Sequence, residues 1–263
     1  MSRFRAAMIA MGSGAAAWML AGSALSAGYL APESVPATLR ILPPPPAAHS
    51  RRQADDRAVF KTTRALKGSP RWTLAASDAV ISSDALMADF ACALGVKITP
   101  AEAPTLYAMF GRMLIDIRLV VDPPKDHYAR HRPYLDQTGE ICVARSDLLD
   151  KTPSYPSGHS TLGWSWAMIL AELAPDRSTE ILMRGRVYGE SRVVCGVHYP
   201  TDIEAGRTNG AALIAALHGG AEFRADLEKA RAEIAAARKA GPGLMSDAGQ
   251  CTIEADAAAQ RLW

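Results

Sequence analysis

Pro156-Ser157-Gly158-His159-Ser160-Thr161-Leu162-Gly163-Trp164-Ser165-Trp166-Ala167-Met168-Ile169-Leu170-Ala171-Glu172-Leu173-Ala174-Pro175 is the stretch on which the fold turns. Pro156 and Gly158 shape a turn, Ser157 stands where a helix is capped, and Pro175 stops a strongly apolar run of helical length. On either side the same pattern recurs. Arg177 to Val194 reads as a helix with Gly196 suited to its C-terminal cap, and Pro200 opens another to Leu217. Glu222 to Lys239 is Ala-rich and amphipathic, and Gly241-Pro242-Gly243 predicts a loose tail behind it. Upstream, helical spacing from Arg51 ends at Gly68-Ser69-Pro70, a second region spans Arg71 to Leu94, and Gly95 stops it. Thr99-Pro100-Ala101-Glu102 reads as a helix start, and Asp122-Pro123-Pro124 as the break of that helix. Apolar and polar residues nowhere alternate over strand length, so the class is all-α.

Outside this helical body lie two different ends. Arg3 and Arg5 precede an apolar, Ala-rich run to Leu25, which reads as an export signal over residues 1–27, cut between about 24 and 27. An uncleaved anchor is the other reading, and the glycines and serines diluting the run weigh against it. Residues 28–50 form a Pro-rich arm, 51–240 the helical domain and 241–263 the tail. No other stretch is long and apolar enough to span a bilayer, so no membrane contact is expected once the signal is removed. With 29 basic against 27 acidic residues, bulk attraction to nucleic acid is not expected, and any positive site must be local. Four cysteines, Cys92, Cys142, Cys195 and Cys251, suit disulfides in an exported chain; their spacings fit no zinc pattern and do not choose among the three pairings.

Three segments carry chemistry. Lys125 to Pro133 is dense in cations, and Pro133 holds the backbone of Arg132 extended. Pro156-Ser157-Gly158-His159 would place the amides of Ser157, Gly158 and His159 at a helix N-terminus, where unpaired donors suit an oxyanion. His198 and Asp202 are four apart with Pro200 between them, so a first-turn carboxylate can fix one imidazole nitrogen as a donor while the other presents a lone pair. His49, His127, His131 and His218 read as structural or rim residues.

Taken together, Lys125, six residues, Arg132 and Pro133, then P-S-G-H, then Ser191-Arg192, five residues, His198, three residues and Asp202 resemble the three-part signature of the type 2 phosphatidic acid phosphatase superfamily, shared with vanadium haloperoxidases. Asp126-His127-Tyr128, Ser154-Tyr155-Pro156 and Gly189-Glu190-Ser191-Arg192-Val193-Val194-Cys195-Gly196 are similar to class A bacterial non-specific acid phosphatases, as is Asp56 to Asp78. The likeness runs from about Asp56 to Lys239. It implies a helical, periplasmic, metal-free enzyme without cofactor, acting on small phosphomonoesters such as nucleotides and aryl phosphates, with phosphate transfer to other alcohols as a side activity, and often assembled as a homo-oligomer.

Residue by residue, the resemblance implies that His198 is the nucleophile, oriented by Asp202, and that His159 protonates the leaving alcohol and then activates water. Lys125, Arg132 and Arg192 would hold the phosphoryl oxygens with Ser157 and the backbone of Gly158. It also implies a Cys142–Cys195 disulfide, which leaves Cys92 with Cys251. Tyr199-Pro200-Thr201 departs from relatives that carry longer polar side chains before the Asp, and bears on the substrate rim. One neutral and one protonated imidazole predict a bell-shaped rate profile on the acid side. Three other readings share the pattern. A membrane lipid phosphatase would need spanning helices. A vanadium haloperoxidase would need a longer chain with aromatic halide pockets. A non-catalytic oxyanion binder would leave some catalytic position substituted, and none is.

Overall fold

The structure, a computed structural model, describes residues 27–241 and 248–263. The export-signal reading therefore falls, apart from Ala27, outside the described residues. No strand occurs among the described residues, and the all-α class holds. In chain order the helices are α1 (Thr38–Ile41), α2 (Arg51–Thr63), α3 (Pro70–Ser77), α4 (Ser83–Leu94), α5 (Pro104–Tyr128), α6 (Pro133–Asp136), α7 (Asp147–Lys151), α8 (Gly158–Leu173), α9 (Ser178–Val194), α10 (Pro200–Leu217), α11 (Ala221–Ala240) and α12 (Ala248–Ala259).

α8 is the centre. Its Trp166, Ile169 and Leu170 are fully buried, and Trp166 meets Phe110 of α5 edge to face at 5.2 Å. α9 and α10 flank it at very short range because glycines line both crossings. A Cβ on Gly163 would lie 2.2 Å from the ring of Tyr188 in α9, and one on Gly206 of α10 would lie 2.7 Å from the carbonyl oxygen of Ser157. These approaches fix the end of α9 and the start of α10 beside the start of α8, where the three chemical segments meet.

Four expectations need correction. Pro123 and Pro124 do not break α5, which continues to Tyr128. Prolines there free the carbonyls of Leu119 and Val120. Leu119 is exposed, so water can pair its carbonyl, and the side-chain amide of Asn209 donates to that of Val120 at 2.9 Å. Thr99 to Glu102 forms only a turn, with Thr99 N–H and Oγ1–H both donating to the Glu102 carboxylate and the Glu102 amide donating to the backbone carbonyl of Thr99; the helix begins at Pro104. The region from Arg71 to Leu94 is two helices, parted at residues 78–82. From residue 248 on the tail is not loose, because α12 packs on α9 and α3 and buries Ala257.

The arm is also more than an extended strap. Its Tyr29 and Leu30 amides donate to Asp116 of α5, and Arg112 lies 3.6 Å over the Tyr29 ring. Both disulfides form, Cys142–Cys195 and Cys92–Cys251, with Cα separations of 4.6 and 5.4 Å. The second joins α4 to α12 across 159 residues. Beside it Glu254 of α12 meets Arg184, which is fully enclosed and also pairs with Asp78. Replacing Cys92 and Cys251 together by serine should cost about 2–5 kcal/mol, because a long loop in the unfolded chain is set free. Thermal unfolding of the pair variant checks it; an unchanged midpoint would mean that α12 is held by packing alone.

Candidate active site

Each functional side chain is placed by the end of an element. Lys125 sits in the last turn of α5. Ala129 then adopts a left-handed conformation, φ 44°, which turns the chain sharply into Arg130 and Arg132. Arg132 is extended before Pro133, as expected. At the end of α9, Arg64 donates to the carbonyls of Val193 and Val194 and lies where any side chain on Gly196 would be, at φ 83°. Capped in this way, the chain folds back so that the amides of Val197 and His198 both donate to the carbonyl of Arg192.

The His198 ring is enclosed, and its neighbours define its protonation. Arg132 Nη1 lies 3.1 Å from Nε2. A guanidinium can only donate, so Nε2 presents a lone pair and the proton sits on Nδ1. Nδ1 faces Ser154 Oγ at 3.2 Å and Asp202 Oδ2 at 3.4 Å, and Ser154 in turn donates to Asp202 Oδ2. Asp202 Oδ2 also accepts from the amide of Tyr199, the reciprocal contact of a helix start. The four-residue spacing thus places the carboxylate as expected, with Ser154 alongside the contact.

His159 is oriented from the other side. Its Nε2 lies 3.2 Å from the carbonyl of Ala79, which can only accept, so Nε2 carries a proton and Nδ1 is left for chemistry. Its ring stacks on Tyr188. Ser157 caps α8 by accepting from the amide of Ser160. Its own amide donates to the backbone carbonyl of Asp202 at 3.0 Å, so Ser157 N–H does not face an oxyanion as anticipated. That bond ties the start of α8 to the start of α10. Gly158 and His159 supply the first-turn amides that a helix leaves unpaired internally.

The cations are buried and strained electrostatically. Lys125, Arg132 and Arg192 are 7%, 5% and 3% exposed. Lys125 donates to the carbonyl of Pro153, and Arg132 Nε donates to those of Leu149 and Thr152. Arg192 differs: among the described residues its Nε and Nη1 have no hydrogen-bond partner. Burial and then the charge of Arg132 push Lys125 down to about 7; burial pushes Arg192 down to about 10. Burial and Arg132 hold His198 well below the ordinary imidazole value, against the pull of Asp202. Burial and Arg192 do the same to His159. For Asp202, burial acts upward but is outweighed by the bond to His198 and the charge of Arg130, leaving the carboxyl well below its usual range.

Three neighbours were missed. Ser154 stands in a quoted motif that carries no cue to its contact with His198 and Asp202. Arg130 lies within the cationic segment and was not distinguished from its neighbours, yet its Nη1 reaches Asp202 Oδ1 and Thr201 Oγ1 while Nη2 reaches Gln53 and Asp56. Asp56 is far away in sequence. Tyr199 and Thr201 are buried against this network, Tyr199 under Arg130 at 4.3 Å, and so back the site instead of forming a substrate rim. His131 is exposed and pairs with Asp136, and His218 pairs with Glu172, in keeping with structural readings.

Comparison with known proteins adds to this geometry. Residues 103–224 match the family model described as PAP2 superfamily. An acid phosphatase from Zymomonas mobilis subsp. mobilis is 44% identical over 201 residues, 76% of each chain. A non-specific acid phosphatase from Providencia stuartii is 35% identical over 204 residues, 77% of this chain and 82% of that one. Among solved structures, the first transmembrane PAP2 type phosphatidylglycerolphosphate phosphatase from Bacillus subtilis aligns with a TM-score of 0.45 at 21% identity, covering 65% of this chain and 87% of that one. Among the described residues of this chain no helix is long and apolar enough to cross a membrane. With sequence identity sustained over three-quarters of its length, the chain belongs to the acid phosphatases of the PAP2 superfamily.

Proposed function

We propose that this acid phosphatase hydrolyses small phosphate monoesters, nucleotides and aryl phosphates among them, through a phosphohistidine on His198. The observation that carries the reading is Arg192, a buried guanidinium with two unpaired nitrogens, Nε and Nη1, beside the ring-binding Arg132. Leaving charged donors buried and unpaired is costly, so such a group is kept for an anion. Three cations and the first-turn amides of α8 match the charge spread over three equatorial oxygens of a loose phosphoryl transition state.

In the first step the Nε2 lone pair of His198 forms a P–N bond as the ester P–O bond breaks. The proton on Nδ1 stays in its bond to Ser154 and Asp202, and His159 Nδ1 gives a proton to the departing alkoxide. In the second step His159 takes a proton from water, the resulting hydroxide forms a P–O bond, and the P–N bond breaks to release phosphate. An alcohol in place of water would give phosphate transfer. Three buried cations can supply the charge stabilisation that a divalent ion gives elsewhere, which supports turnover without metal or cofactor. The basic, apolar N-terminal segment and two disulfides support export to the periplasm, and assembly as a homo-oligomer is part of the same proposal.

The test is a panel of phosphomonoesters assayed in chelator across pH. Lys125 is about half-charged near pH 7 in the empty site, and a bound dianion raises its pKa. Affinity for an anion should therefore fall as pH rises through 7, with up to one proton taken up on binding between about pH 7 and 9. Sulfate, whose own charge is fixed over this range, reports it calorimetrically through a binding heat that depends on the buffer. A heat independent of buffer would remove Lys125 as the titrating partner, and turnover that requires added metal would overturn the metal-free reading.

A further inference from the structure

We infer that Arg130 and Asp56 are positioning residues for the reaction, a buried clamp between the turn after α5 and α2 that holds Asp202 and through it the reactive nitrogen of His198. The inference rests on the reading of His198 as nucleophile and extends it to groups outside the signature.

The geometry is specific. Arg130 forks between two carboxylates, with Nη1 on Asp202 Oδ1 and Nη2 on Asp56 Oδ2 at 2.8 Å. The fork is completed by Thr201 Oγ1 at 2.8 Å and Gln53 Oε1 at 2.6 Å, and the guanidinium carbon lies 4.3 Å from the centre of the Tyr199 ring. Asp56 Oδ1 accepts from the amide of Thr201 and Oδ2 from its hydroxyl, so α2 also grips the first turn of α10. Asp56 is 2% exposed and Asp202 is fully buried. These polar atoms are paired with one another, which gives the arrangement a bracing role and not one of holding substrate. What it fixes is Asp202: one oxygen is taken by Arg130, which leaves the other to Ser154, the Tyr199 amide and His198 Nδ1. A carboxylate held in this way keeps the proton of His198 on Nδ1 and the lone pair on Nε2.

Charge gives the clamp a measurable signature. The charged and titratable groups around His198 are Asp202 from α10, Arg132 before α6, Lys125 from α5, His159 from α8 and Arg192 from α9. Arg130 and Asp56 lie one step behind Asp202 with opposite signs. Arg130→Gln removes a positive charge, favours protonated His198 and should move the acid limb of kcat/KM to higher pH, by roughly half a unit to one unit. Asp56→Asn removes a negative charge at nearly constant shape and should move the same limb to lower pH. Arg130→Lys keeps the charge but cannot span both carboxylates, so the limb should stay while kcat falls by about 10- to 100-fold with KM little changed.

Opposed displacements in the two charge variants, with the limb in place for Arg130→Lys, support the clamp. A loss of rate with fixed limbs, or limbs moving together, would make the pair only structural and overturn the inference. Should Arg130→Gln fail to fold, the direction in Asp56→Asn and the fixed limb in Arg130→Lys still decide. Alkaline quenching with radiolabelled substrate reports separately which residue carries the phosphate, so a wrong nucleophile and a wrong clamp give different results.

Discussion

His198→Ala should reduce turnover by about 10⁴-fold or more and abolish the phosphoenzyme, the largest effect of any single substitution here. The size follows from the role. Remove the nucleophile and the cradle can still bind and polarise the ester, but only water remains to attack, and no protein group activates it from that side. The cradle itself should survive, because Arg132 keeps its bond to the carbonyl of Val197 at 2.9 Å and Lys125 its bond to Pro153. Affinity for sulfate in the variant should thus stay within a few fold of the parent. Rapid alkaline quenching, which preserves phosphohistidine, is the direct measurement. Label that persists in His198→Ala would put the nucleophile elsewhere.

Arg192→Met should cost about 10³-fold in kcat, the range for removing a charged donor to a transferring phosphoryl group. Its second consequence has the opposite sign. The guanidinium of Arg192 is buried without partners for Nε and Nη1, so an apolar side chain of similar length relieves that penalty, and the empty variant should unfold at the same temperature or higher. Added phosphate completes the contrast. At 100 times its dissociation constant it should stabilise the parent by about 2.7 kcal/mol and the variant much less at the same concentration. Thermal unfolding with and without phosphate, beside steady-state rates, measures both. A variant that is several kcal/mol less stable would show that Arg192 supports the fold, and the reading of its unpaired N–H groups would fail.

The fold class is legible in the sequence for a physical reason, whereas the convergence of the three segments is what their resemblance to a known signature implies. Helix starts, caps and apolar faces are local, and the spacing from His198 to Asp202 spans one helical turn. What escaped depends on partners distant along the chain. Nothing near Pro123 and Pro124 announces that Asn209 will supply the hydrogen bond that lets α5 run on. Arg130 looks like its cationic neighbours until α2 brings Asp56 beside it across 74 residues. Ser157 has the composition of an anion-binding turn, and only the close approach at Gly206 turns its amide to Asp202 instead. α12 follows Gly241-Pro242-Gly243 and has a weak apolar face, so its burial follows from the surface of α9 and α3 and not from its own pattern.

The position of α12 has a consequence for biosynthesis. Residues made late close over a region made early: Cys251 bonds to Cys92, and Glu254 supplies a carboxylate to Arg184, whose partner Asp78 directly precedes the residue that orients His159. A chain released before Cys251 would contain every residue of the signature but neither the cross-link nor that carboxylate. Synthesis past Glu254 is thereby recorded in the stability of the product.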